Sequence, residues 1–285
     1  MDPLFERVAI VGAGLLGASL GLALQARGLA RHVVGVGRRQ SSLDKALAAG
    51  TVHEATLDLA AAAAVADLIV VATPANTVPD ALDTIRDVCQ DTAIIIDVAS
   101  TKAAICAHAA RLWPAPRRFV GCHPMAGSEK SGPEHATATL YEGSVCLIEN
   151  SPDLDATALA RVRALWEATG ARAVPVDPER HDIVLARTSH VPHILATALA
   201  TAALQEGATR DFIGNGFRDM TRIAAGSPEM WRDITLTNRA AIADGLNTVK
   251  AQLDVFLAAL AANDAEALTA LFAAGKDARH TVVAE

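Results

Sequence analysis

The chain has 285 residues, 51% of them hydrophobic and 20% charged, with a formal net charge of -7 at pH 7. The apolar fraction excludes a disordered chain, and the acidic balance argues against nucleic acid as the main partner, since a phosphate-binding surface needs a basic excess. The cysteines Cys89, Cys106, Cys122 and Cys146 show neither C-x-x-C pairing nor metal-ligand spacing. No run reaches the roughly 20 apolar residues of a membrane-spanning helix, so a reduced, soluble, cytoplasmic protein without a metal site is expected.

Short apolar runs alternate with helical patterns in the first half, which predicts a parallel sheet covered by helices. The strands are expected at Val8–Val11, Val33–Val36, Leu68–Ala72, Ala93–Asp97, Arg118–Gly121, Ser144–Ile148 and Arg172–Val176. Helices are expected between them, at Leu15–Arg27, Ser42–Ala49 and Asp155–Thr169. The strand-like runs stop at Asp177-Pro178-Glu179, and alanine- and leucine-rich helical patterns take over: Asp182–Gln205, kinked at Pro192, then Asn238–Ala262 and Asp264–Ala274. The fold class is therefore α/β, a Rossmann-like doubly wound sheet over residues 1–177 followed by an all-helical domain over residues 178–285. The helical half is read as a substrate-binding and dimerisation domain, giving a homodimer.

Gly12-Ala13-Gly14-Leu15-Leu16-Gly17 follows the first strand and opens a helix, the context that makes a G-x-G-x-x-G string a dinucleotide fingerprint. Gly12 permits the tight turn, Gly14 the approach of a pyrophosphate and Gly17 close helix–strand packing, while the helix start at Leu15 and Leu16 supplies amides. At the end of the second strand an acid would grip the ribose of NAD, yet the chain has Gly37-Arg38-Arg39. Two arginines without the acid suit a 2′-phosphate, so NADP is the expected cofactor, with NAD tolerated; a pair of solvated turn arginines is the plain alternative. Thr73-Pro74 either lines the nicotinamide ribose or forms an ordinary strand-to-helix turn.

His123, in Gly121-Cys122-His123-Pro124-Met125-Ala126-Gly127, stands after a strand about a hundred residues beyond the fingerprint. A nicotinamide fold that also supplies a histidine base reads as a dehydrogenase acting on a hydroxyl-bearing carbon. Ser100, at another strand end, suits either a helix cap or a bond to substrate and histidine. In the helical half His181-Asp182, Ser189–His193, Asp219–Arg222 and Met230–Asp233 concentrate polar groups, and His190 and His193 lack an evident third metal ligand.

The strings Gly12–Gly17, Asp97–Lys102, His123–Gly132, Ser189–His193 and Gly216–Asp233 occur in the order seen in prephenate and arogenate dehydrogenases of tyrosine biosynthesis, and the chain resembles that family over nearly its whole length. It departs mildly at Ala99, where many members have glycine, and at Gly37. The resemblance implies oxidative decarboxylation of prephenate to 4-hydroxyphenylpyruvate, of arogenate to tyrosine, or both. It implies that His123 accepts the proton of the 4-hydroxyl while Ser100 bonds that hydroxyl or His123. Arg222 would hold the ring carboxylate, His193 the side-chain end, and Glu129 and Asp219 would form an ionic network around Arg222. Trp231 is expected to pack near the pocket wall. The competing readings are a reductase of the β-hydroxyacid or imine type, which a histidine base in the first domain disfavours, and a catalytically silent redox sensor, in which Ser100, His123, His193 and Arg222 together would have no purpose.

Overall fold

β-Branched runs buried on both faces organise the molecule, which the computed structural model describes over residues 2–127, 130, 132–205 and 210–283. The chain begins β1 (Phe5–Val11), α1 (Leu15–Ala26), β2 (Ala30–Val36), α2 (Gln40–Ala48), β3 (Glu54–Thr56), α3 (Leu59–Ala64) and β4 (Leu68–Val71). It continues α4 (Val78–Val88), β5 (Ile94–Asp97), α5 (Ala103–Leu112) and β6 (Phe119–Val120). These strands form one six-stranded sheet in the order β3-β2-β1-β4-β5-β6, every pairing parallel. All four residues of β4 and all four of β5 are buried, as strands covered on both faces must be.

The order reverses between β1 and β4, and at such a switch point the crevice at the carboxyl ends of the strands takes the ligand. One core lies on each face. Val8, Ile10, Leu20 and Leu24 belong to the first and Val11, Ile69, Leu82 and Ile85 to the second.

Beyond β6 the chain turns into a second sheet of β7 (Cys122–Pro124), β8 (Val145–Glu149) and, after α6 (Ala156–Ala168), β9 (Arg172–Val176). β7 runs antiparallel to β8, and β8 parallel to β9. Gly121 is the pivot between the sheets, and its closeness to Cys106 is the reason for glycine: a Cβ there would meet the Cys106 Sγ at 2.6 Å. The Gly121 amide donates to Glu149 Oε2 at 3.0 Å, and that carboxylate is clamped by buried Arg117 at 3.0 and 2.6 Å. The clamp fixes the direction in which the chain leaves the first sheet. All the strands except β3 and β7 lie where the sequence predicts them.

The remaining helices are α7 (Pro178–Leu185), α8 (Val191–Gln205), α9 (Asn215–Thr221), α10 (Pro228–Thr237), α11 (Arg239–Ala261) and α12 (Ala265–Val283). Asp177 caps α7 through the Arg180 amide at 2.8 Å, and Pro178 occupies the first turn, where no donor is needed. A kink is expected at Pro192; the structure has a π turn at Ala186–His190, ending two residues before the proline, which cannot donate to the carbonyl four residues back.

The chain divides into two compact units, Met1–Asn238 and Arg239–Glu285, so the junction at Asp177 lies within the first. In the second unit α11 and α12 pack as a hairpin, with Phe256 and Phe272 edge to face at 5.4 Å. Among the described residues no helix is long and apolar enough to cross a membrane.

Candidate active site

A cleft of about 640 Å³ opens at the carboxyl ends of β1, β2 and β4, lined by Gly12, Gly14, Gly37, Arg38, Arg39, Thr73 and Pro74 among others. Gly12 has φ +99°, and a Cβ on it would lie 2.6 Å from the Ala72 carbonyl oxygen, so both backbone and space demand glycine. α1 starts at Gly14 with no side-chain cap, which leaves the first-turn amides for an anion. Leu15, Leu16 and Gly17, expected at the cofactor, do not line the cleft. Leu16 packs on the core and Gly17 sits against Gly12 and Ile10, so what this turn offers a ligand is its amides. Thr73 Oγ1 is buried without a hydrogen-bond partner among the described residues, an orphaned polar atom in the cleft wall that a ligand would satisfy. Glycine turn, uncapped helix and orphaned hydroxyl together fit a dinucleotide. Arg38 and Arg39 line the same cleft with Ser42 and form no ion pair among the described residues.

His123 sits on β7, whose start is tied to the end of β5 by the Cys122 amide donating to Asp97 Oδ1 at 3.2 Å. Its imidazole is buried, with Nδ1 2.8 Å from His181 Nε2; His181 Nδ1 in turn lies 2.8 Å from Asp182 Oδ1. Asp182 also accepts the Lys102 amide at 2.8 Å and the Ala103 amide at 3.0 Å, capping the N-terminus of α5 from α7. An ionised carboxylate has no proton to give, so the proton in its bond to His181 belongs to His181 Nδ1. A neutral His181 then accepts at Nε2, and His123 must donate from Nδ1. The lone pair of His123 is thereby placed on Nε2. Buried Lys102 pairs with buried Asp97 one step away.

Burial, with the neighbouring His181, Lys102 and His190, holds His123 well below the ordinary imidazole pKa. Burial likewise depresses His193 and pushes His190 down to about 4. The unfolded chain therefore takes up protons near pH 6.5 that the folded chain refuses. Stability from these groups is complete above about pH 6.5 and is lost as pH falls toward 4. The urea midpoint is expected to drop steadily between those values, and an unchanged midpoint would contradict the neutral assignments.

Ser100 lies half-buried between β5 and α5, and no hydrogen bond joins it to His123 among the described residues. The partner that orients His123 is His181, singled out in the sequence without a role. His193, buried on α8, stacks on Trp231 with centroids 3.5 Å apart and planes 16° apart. Its Nδ1 has no hydrogen-bond partner among the described residues. Asn238 holds His190 at 3.2 Å and the Asp182 carbonyl at 2.8 Å.

Arg222 starts a short 3-10 turn, Arg222–Ala225, that packs on α8. Both Arg222 and Asp219 are exposed, and no ion pair joins them among the described residues. At three positions apart on the end of α9, their side chains are not drawn together here. Glu129 lies outside the described residues. No cluster of metal-ligating side chains occurs among the described residues.

Two family models cover most of the chain: the prephenate dehydrogenase nucleotide-binding domain over residues 20–175 and the prephenate dehydrogenase dimerization domain over residues 177–274. The chain belongs to the prephenate dehydrogenase family. Members of this family are oxidoreductases, and the parallel sheet with its fingerprint cleft is the dinucleotide-binding half. A prephenate dehydrogenase of Bacillus subtilis is 31% identical, the match covering 98% of this chain and 76% of that protein. The crystal structure of Aquifex aeolicus prephenate dehydrogenase in complex with hydroxyphenyl propionate and NAD+ superposes with a TM-score of 0.89 at 28% identity, over 97% of this chain and 98% of that one. The Synechocystis arogenate dehydrogenase structure gives a TM-score of 0.82 at 30% identity, over 97% of this chain and 100% of that one.

Proposed function

We propose that this chain carries out the oxidative decarboxylation of prephenate, arogenate or both, with NADP as preferred cofactor and NAD tolerated. One observation carries the reading: His123, buried at the carboxyl end of the sheet, has its Nδ1 committed to His181 and its Nε2 lone pair left to accept a proton. A dinucleotide fits the glycine turn, the uncapped start of α1 and Thr73 Oγ1, and when bound its nicotinamide supplies the hydride acceptor.

His123 Nε2 takes the proton of the ring hydroxyl as hydride leaves that carbon. Ser100 bonds the same hydroxyl and fixes its direction. Arg222 holds the ring carboxylate, orienting the ring while leaving the carboxylate able to depart as carbon dioxide. The unpaired Nδ1 of His193 meets the side-chain end of the substrate, in an orientation kept by the stack on Trp231. Asp219 and Glu129 steady Arg222 once the carboxylate has drawn it in. Aromatisation of the ring drives the reaction, so the protein's work is placement and one proton transfer. The hydroxyl and ring carboxylate are common to prephenate and arogenate, so these residues serve either.

Arg38 and Arg39, uncommitted at the cleft edge, take the 2′-phosphate, and Gly37 removes the acid that would repel it. Residues 1–177 form the dinucleotide domain and residues 178–285 the substrate and dimerisation domain. Leu253, Leu257, Leu260 and Phe272 are all exposed on the α11–α12 hairpin, an apolar surface suited to a second copy of the chain. The free cysteines favour the cytoplasm.

Initial rates on prephenate and arogenate, each with NAD and NADP, test the reading. Activity on neither substrate would overturn it. Arg222→Ala is expected to raise the Michaelis constant for the ring substrate by roughly tenfold to thirtyfold, the loss of one charge-assisted contact, and to leave that for the cofactor unchanged. An unaltered constant for the substrate would remove the carboxylate role.

A further inference from the structure

The proposed reaction has a proton problem that the geometry around His123 answers. The ring hydroxyl loses its proton when the carbon is oxidised, yet the aromatic product carries a hydroxyl on the same carbon. Stepwise, the O–H bond breaks and the proton goes to His123 Nε2, while the carbon gives its hydride to the nicotinamide and becomes a ketone carbon. The bond to the ring carboxylate then breaks, carbon dioxide leaves, and the electron pair passes through the ring to the oxygen. That oxygen must take a proton back. The proton is therefore borrowed and returned, and it has to be held in between.

His123 is poorly suited to hold it alone. The titratable and charged groups that face it are His181, His190 and the Lys102–Asp97 pair, and His123 and Lys102 are both buried. Among the described residues no carboxylate contacts its ring, whereas His181 has Asp182 at 2.8 Å. We infer that His181 is the proton-holding partner of His123: as Nε2 of His123 gains the substrate proton, Nδ1 passes its own across the 2.8 Å bond to His181 Nε2, and both steps reverse when the product oxygen forms. The charge of the intermediate state then lies on His181 beside the Asp182 carboxylate, which the Lys102 and Ala103 amides hold in place. His181 touches no substrate, so it is a positioning residue that also carries charge. The inference rests on the proposed function and names the second stop of its proton.

The test is the single-turnover rate of hydride transfer in mixtures of light and heavy water, for the wild-type chain and for His181→Gln. Glutamine offers an oxygen to the His123 N–H and keeps its orientation, but accepts no proton. In the wild type two protons move together and the rate is expected to bow with deuterium fraction. In His181→Gln the dependence is expected to become linear and the rate to fall about tenfold to a hundredfold, with substrate and cofactor affinities unchanged. If His181 only orients His123, His181→Gln keeps the wild-type rate and curvature, and the inference falls. A linear dependence in the wild type overturns it without any variant. A wild-type chain that oxidises neither substrate instead overturns the underlying reading of the function.

Discussion

His123→Asn is expected to lower turnover by about two to three orders of magnitude while cofactor affinity stays nearly constant. Asparagine fills much the same space and its side-chain amide can still donate toward His181, so the buried chain from β7 to α7 keeps its form. What it removes is the lone pair at the position of Nε2, the one ring atom that the His181–Asp182 chain leaves free. The cofactor cleft is lined by other residues, at the ends of β1, β2 and β4, and is untouched. Steady-state rates beside a direct cofactor titration separate the two effects. Turnover near the wild-type value would remove His123 as the base, and a parallel loss of cofactor affinity would point to a damaged fold.

Replacing Arg38 and Arg39 together by alanine is expected to lower kcat/KM for NADP by about a hundredfold and to leave that for NAD within a factor of two or so. Each arginine lost to a phosphate is worth about 1.5–3 kcal/mol of charge-assisted hydrogen bonding, of which exposure to solvent at the cleft edge keeps only part. Neither guanidinium group forms an ion pair among the described residues, so both are left for the phosphate. Equal losses with both cofactors would mean that they stack on the adenine, and no loss with either would make them solvated turn residues.

The sheet was legible because its strands are runs of Val, Ile and Leu between turn residues, and the fingerprint because glycine is required where φ is positive. β3 and β7 are not legible because Glu54-Ala55-Thr56 and Cys122-His123-Pro124 contain no Val, Ile or Leu run, and each is defined by its partner strand. The change in composition at Asp177 marks the end of the strands, while the helices that follow still pack on the first unit up to Asn238. His123 could be read as a base from its setting, but its partner could not. His181 lies 58 residues further on and meets it only through the packing of α7 against the start of α5. Asp219 and Arg222 form no ion pair with each other among the described residues. The network around Arg222 was an implication of the family resemblance, and both side chains reach solvent in the chain alone.

The most direct test of the central claim follows two products at once. Prephenate labelled in its ring carboxyl group, incubated with the purified chain and NADP, is expected to release one carbon dioxide for each reduced nucleotide formed. Arogenate labelled in the same way gives the companion measurement. Reduced nucleotide without carbon dioxide, or neither product from either substrate, would contradict an oxidation coupled to decarboxylation at this site.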